Sequence, residues 1–247
     1  MAKIDRKKLL KEPDEFLTLS SRAIRWAKAH TRMLSISVGA VVVILAVVLG
    51  IQAYLNYRQS QGAAALAQAF GAYSEVAMGQ AEPARAVEAA KGLEAVVEQY
   101  GATEAGMQAR LALGDLHLRQ EQYPAAEKAL TALTEEPGLP PELAPLAWRG
   151  LGQALEGQKK YPEAAEAYHG ARRVAGQRLA ALCQLDQARA LAAAGQTAQA
   201  QEILRSLVAQ GQDVAVAQVA RLRLVDLGVA PESLPAPAAE GQAAVPR

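Results

Sequence analysis

Hydrophobic positions along the chain fall into two regimes. Between Met33 and Tyr57 there is no charged residue, and the centre, Val38 to Leu49, is almost wholly aliphatic. Read as helix over Met33–Ile51, at about 1.5 Å per residue, this run is roughly 28 Å long, close to one hydrocarbon core. From Gln61 onward the pattern changes to helical stretches that alternate with short breaks, ending in a last helix over Val214–Leu227. After Val229 come Pro231, Pro235, Pro237 and Pro246 among Ala, Glu and Gly, a composition that predicts a disordered tail. The predicted layout is a leader over 1–32, a membrane helix with its interface over 33–57, a repeat domain over 58–228 and a tail over 229–247.

The second regime repeats itself. The clearest unit is WRGLGQALEGQKKYPEAAEAYHGA, in which Trp148, Leu151, Gly152, Tyr161, Ala164, Tyr168 and Ala171 hold fixed offsets. A unit starting 38 residues earlier supplies Leu113, Gly114, Tyr123, Ala126, Leu130 and Leu133 at matching places, with His117 at an expected core position. A weaker one 36 residues later carries Ala188, Leu191, Gly195, Ala200, Leu204 and Leu207. Ala89, Leu93 and Val96 sit where a still earlier second helix would put its core. The stretch Glu135–Pro141 fits an enlarged loop. These offsets resemble the tetratricopeptide pattern, departing from it at Leu155, where tyrosine is usual, and at Lys159, where glycine is usual. Small residues let two helices approach; Trp148, Tyr161 and Tyr168 fill the space between pairs; Tyr-Pro at 123–124 and 161–162 places proline at a first helical position. One pair cannot bury its own apolar face, so several must stack. A non-repetitive helical bundle is the alternative, and two in-register units argue against it.

Composition agrees. Apolar residues make up 51% of the chain but aromatics only 4%, so the core is built from Ala, Leu and Val. The β-branched residues cluster at Val38–Val48, whereas a sheet protein would spread them. The fold class is therefore all-α: one N-terminal transmembrane helix followed by a tetratricopeptide-like α-solenoid of stacked antiparallel helix pairs.

The formal net charge of +1 hides an asymmetry. Residues 1–32 hold nine basic and four acidic residues, and the rest is mildly acidic. Nucleic acid, which needs a basic footprint, is not an expected partner. The basic leader places the N-terminus in the cytoplasm and the C-terminal domain on the far side of a membrane crossed once. A cleaved signal peptide competes with an uncleaved anchor, but no A-x-A site follows the run and the leader is long for an n-region. A buried soluble helix is the third reading. Within the leader, Pro13-Asp14-Glu15 reads as a helix start, with Phe16, Ala23, Trp26 and His30 along one face.

Ser35, Gly39, Ala46 and Gly50 fall within about 60° of helix surface, a small-xxx-small stripe suited to contact with another membrane helix or arising by chance. No catalytic, cofactor or metal constellation is present: the three histidines lack ligand spacing, and phosphate-loop and nucleophile-elbow motifs are absent. Cys183, the only cysteine, reads as a small core residue. No enzyme activity, cofactor or small-molecule substrate is expected. By repeat register, the concave face of a solenoid presents Asp115, Leu118, Arg149, Gln153, Leu185 and Arg189, a mixture suited to an extended or partly unfolded polypeptide.

The stretch LEAVVEQYGATEAGMQARLALGDLHLRQEQYPAAEKAL, behind a basic leader and one membrane helix, resembles the YfgM family of bacterial inner-membrane proteins. The long leader and the proline-rich tail depart from that family. The resemblance implies an ancillary, chaperone-like factor at the SecYEG translocon, contacting secreted chains and a periplasmic chaperone. A structural scaffold of an envelope complex, in division, outer-membrane assembly or motility, is the alternative, because fold does not fix function.

Overall fold

A computed structural model describes residues 24–79, 83–211 and 213–233. The expected helix start at Pro13 and the last fourteen residues of the expected tail lie outside them. The described residues form helices joined by short turns, with no strand among them. The chain divides into two compact units, Met1–Tyr57 and Arg58–Arg247.

In the first unit, residues 24–29 are helical and a turn at His30 leads into helix α1, Thr31–Ala77. Trp26 stacks on His30 with ring centroids 4.9 Å apart. From Thr31 to Tyr57 every residue of α1 is exposed. Among the described helices, α1 is the one long and apolar enough to cross a membrane. Its hydroxyls are satisfied along the helix: Ser35 Oγ donates to the Arg32 carbonyl at 2.9 Å and Ser37 Oγ to the Met33 carbonyl at 2.9 Å. Nothing approaches within 4 Å of a Cβ built on Gly39 or Gly50. Helix α1 passes the boundary between the units without a break, so the apolar run and the first helix of the repeat domain are one element. No proline or helix-ending pattern interrupts residues 50–77.

The second unit stacks the C-terminal part of α1 with α2 (Pro83–Tyr100), α3 (Glu104–Arg119), α4 (Tyr123–Thr134), α5 (Ala144–Gly157), α6 (Tyr161–Val174), α7 (Gln177–Ala193), α8 (Thr197–Gln210) and α9 (Val214–Asp226). Short connections make successive helices neighbours. In addition, α3 packs on α5, α5 on α7 and α7 on α9. The first helices of successive pairs therefore lie side by side, and the second helices form an outer layer.

The pairs close through small residues. A Cβ on Gly114 would lie 2.6 Å from Leu130, and one on Gly152 would lie 2.6 Å from the Tyr168 ring. The third pair places Ala188 and Leu204, both buried, at the same spacing. Turn chemistry repeats as well: Glu121, Lys159 and Gly195 occupy equivalent positions, all with positive φ of 57°, 62° and 79°. Thr103 caps α3, its Oγ1 accepting from the Gly106 amide, and Asp213 caps α9, accepting from the amides of Ala215 and Val216.

Leu66, Ala69 and Ala72 of α1 share one core with Ala89, Leu93 and Val96 of α2 and with α3. A second core runs from Ala126 of α4 to Leu224 of α9 and includes Tyr168; Cys183 is wholly buried. Three expectations need adjustment. His117 is half-buried rather than a packed core residue, its Nδ1 2.8 Å from Gln122 Oε1, because it sits at the end of α3 beside the turn. Tyr161 is half-buried rather than enclosed. The first residues of the expected tail are placed: Val229 packs against the core, and Pro231–Ser233 form a 3-10 turn.

Candidate protein-binding groove

Helices α1, α3 and α5 present one open face, and a cavity of about 430 Å³ lies on it. Phe70 and Tyr73 come from α1, Leu111 and Leu118 from α3, and Leu146 from α5, with Leu130 of α4 at the base. Phe70 and Leu146 are 39% and 45% exposed, enough to offer apolar surface to a ligand. Gly150 keeps the base open: a Cβ there would stand 3.1 Å from Leu130. A second cavity of about 470 Å³ adjoins the first along α1 and α3, lined by Ala63, Leu66, Ala67 and Ala105, and the two share Phe70 and Gln108. Their sizes fall in the range of ordinary ligand clefts.

The charged groups that line the first cavity are already paired. The Tyr73 hydroxyl donates to Asp115 Oδ2 at 2.9 Å, and Arg119 Nε donates to the same oxygen at 2.6 Å. Burial, then the Asp115 charge and hydrogen bond, push the Tyr73 phenol up to about 12, so it is a neutral donor at physiological pH. Phe70 packs edge-on to Tyr73, centroids 5.0 Å apart. On the other wall, Arg149 Nε donates to Asp186 Oδ2 at 2.8 Å.

Asp186 begins a network that covers the face between α5 and α7. Arg189 Nη1 lies 3.0 Å from its Oδ1, and Arg189 also grips Glu156 with two bonds of 2.8 Å. Tyr168 donates its hydroxyl to Glu156 at 2.8 Å. Burial would raise the Glu156 carboxyl, but the hydrogen bonds from Arg189 and Tyr168 and the guanidinium charge outweigh it and hold the carboxyl below its ordinary value. Burial pushes the Cys183 thiol up to about 11, leaving it protonated and unreactive.

Of the six residues expected on the concave face, Asp115, Leu118, Arg149 and Gln153 line the first cavity. Leu185 and Arg189 are not brought to it: Leu185 packs against the core, and Arg189 is committed to the ion network. Phe70, Tyr73, Leu111, Leu146 and the alanines of the second cavity are residues that sequence reasoning missed. Leu111 stands one repeat before the expected Arg149, so register alone contained it; Leu146 has no such counterpart among the expected residues. Phe70 and Tyr73 lie in the unit without a legible motif. In the other unit, Ser35, Gly39, Ala46 and Gly50 are all exposed on α1. Among the described residues no cluster of three metal-ligating side chains occurs.

This geometry is that of a tetratricopeptide-like helical solenoid, a fold that typically serves as a non-catalytic scaffold for binding protein partners. The tetratricopeptide repeat family model matches residues 72–140 and 111–177. Among solved structures, the chain is similar to a putative kinesin light chain with nearly identical TPR-like repeats from Podosopora anserina, at 19% identity and a TM-score of 0.54. The similarity covers 65% of this chain and 83% of that one, and a single-substitution variant of the same protein gives the same values. At that identity the likeness speaks for the fold alone. No curated protein matches the chain.

Proposed function

We propose that this chain is a membrane-anchored, periplasmic protein-binding module, an ancillary chaperone-like factor at the SecYEG translocon that contacts secreted chains or a periplasmic chaperone. The observation that carries the binding half is the open apolar groove of α1, α3 and α5, whose first cavity is bordered by charges neutralised within the chain. Such a groove favours apolar segments of polypeptide over a highly charged ligand, because a charged group entering it would lose water without gaining an unpaired counter-ion. The membrane half is supported by the exposed aliphatic surface of α1, which water would penalise and lipid would not. The basic leader favours a cytoplasmic N-terminus, and the small-residue stripe at Ser35, Gly39, Ala46 and Gly50 would face a neighbouring membrane helix. The translocon assignment rests on the resemblance to the YfgM family.

Co-purification from mild detergent tests the partner. Recovery of SecYEG subunits, reduced when Ala67→Trp and Gln153→Trp fill the groove, is the expected result. Recovery of division, outer-membrane assembly or motility proteins alone would replace this reading with the scaffold. A periplasm-active reporter fused after Arg247 tests topology: activity is expected, and a silent, cytosolically protected fusion would reverse the orientation.

A further inference from the structure

Lys28 and Arg32 have no counter-charge close at hand. The sequence holds no Asp or Glu between Glu15 and Glu75, and neither side chain has an acidic partner among the described residues of the first unit. Both are exposed. With Arg25 they stand at i, i+3 and i+7, the spacing of one helix face. Arg32 adjoins Met33, where the uncharged run begins, and Lys28 lies about 7.5 Å before Met33 at 1.5 Å per residue. The headgroup layer on either side of a hydrocarbon core is about 5–8 Å deep, so the two cations span that layer when the apolar run fills the core.

A hollow of about 440 Å³ opens at the same level, lined by the polar His30, Thr31 and Arg32 together with the apolar Met33 and Ile36. His30 is held in place: its Nδ1 donates to the Trp26 carbonyl at 3.0 Å and its ring stacks on Trp26. Ser37 also lines the hollow, but its hydroxyl is committed to the Met33 carbonyl. The Arg32 guanidinium and the Thr31 hydroxyl, with His30 Nε2, are the side-chain groups left for a ligand. Set beside Met33 and Ile36, which are 63% and 64% exposed, they call for a ligand anionic at one end and apolar at the other. An acidic protein segment would answer the charge and leave the apolar wall wet. A zwitterionic headgroup carries its own ammonium against its phosphate and leaves Lys28 and Arg32 unbalanced.

We infer that this hollow binds an anionic phospholipid, with the phosphate on Arg32 and Thr31, Lys28 adding attraction from one turn away, and an acyl chain along Met33 and Ile36. This rests on α1 crossing a membrane. It adds to that reading a preference for one class of lipid at the basic end of the span.

The test uses the full chain in vesicles of phosphatidylcholine with a minority of phosphatidylglycerol, mixed alike in both leaflets so that the direction of insertion does not matter. Trp148→Phe leaves Trp26 as the one tryptophan, a donor for energy transfer to a trace of pyrene-labelled lipid, either phosphatidylglycerol or phosphatidylcholine. Relative association is expected to favour phosphatidylglycerol by about three- to tenfold at low salt and to shrink as salt screens it. Thr31→Val keeps charge and shape and should lower that preference at least about twofold, through the lost hydrogen bond to phosphate. Arg32→Gln should lower it more than Arg25→Gln, which removes the same charge outside the hollow. Equal losses from those two with none from Thr31→Val would overturn the site in favour of a diffuse basic flank, and no preference at all would overturn it with the anchor intact. A preference abolished by soluble glycerol 3-phosphate, or by a poly-glutamate peptide at equal charge, would reassign the hollow to a small anion or to an acidic protein segment. A chain that alkaline carbonate strips from the vesicles would refute the membrane span itself, and the lipid site with it.

Discussion

Lys159 has a positive φ of 62° and Glu121 one of 57°, in turns whose third copy uses Gly195 at 79°. An L-residue in this region costs about 1–2 kcal/mol, while glycine elsewhere gives back roughly 0.5–1 kcal/mol of chain entropy. Lys159→Gly and Glu121→Gly should therefore each stabilise the repeat domain by about 0.5–1 kcal/mol, and Gly195→Ala should destabilise it by a similar amount. Thermal unfolding of the three variants checks all three signs. The departure from glycine at Lys159 was visible in the sequence; that the backbone keeps the left-handed turn regardless was not. Gly152 makes the opposite demand, for volume rather than angle. Its Cβ would meet the Tyr168 ring at 2.6 Å, and that ring is enclosed and tied to Glu156, so it has little room to move. Gly152→Ala should cost about 1–3 kcal/mol by overpacking. Gly39→Ala, in open space on a helix, should cost nothing. The repeat register placed Gly114 and Gly152 at helix crossings in advance, since a small residue at that offset has no other purpose.

Between elements, the ion network over α5, α6 and α7 ties three helices together. The Glu156 carboxyl is held below its ordinary value near 4.5 in the folded chain. Its contribution to stability is present above that unfolded value and is lost as pH falls through the lower folded one. Denaturant midpoints measured from pH 7 to pH 3 should fall on the acid limb for the wild-type chain. For Glu156→Gln that limb should be shallower, from a lower starting stability because Arg189 loses its bidentate partner. An unchanged limb would remove Glu156 as its source. The links between α5 and α7 were not legible in the sequence, because Glu156 and Arg189 are 33 residues apart, Arg149 and Asp186 are 37 apart, and a charged residue on a helix reads as a solvated face. That is why Arg189 was expected at the binding surface. Helix boundaries fared better: proline at 124 and 162 and the long Glu135–Pro141 loop mark them directly. The continuity of α1 from Thr31 to Ala77 follows from an absence of stop signals over residues 50–77, which a change in composition near Gln61 obscured.

At the scale of the repeat domain, the groove depends most on the unit with the faintest motif. The solenoid and the pairing of its helices were readable from two in-register repeats; Phe70 and Tyr73 were not, since α1 carries no tetratricopeptide signature where it contributes them. Tyr73 offers a probe of the groove's wall. Its phenol, pushed up to about 12, should stay un-ionised through pH 10–11 in a spectrophotometric titration, and Asp115→Asn should bring its transition to lower pH. The central claim is that this face, rather than the outer layer of second helices, receives a polypeptide. It is tested most directly by placing a photo-crosslinking amino acid at Phe70 and, separately, at the exposed Glu166 of α6, in living cells. The account predicts discrete protein adducts from position 70 that disappear when Gln153→Trp fills the groove, and none of comparable yield from position 166. Equal adducts from both positions, or adducts from position 70 that survive the blocking substitution, would contradict it.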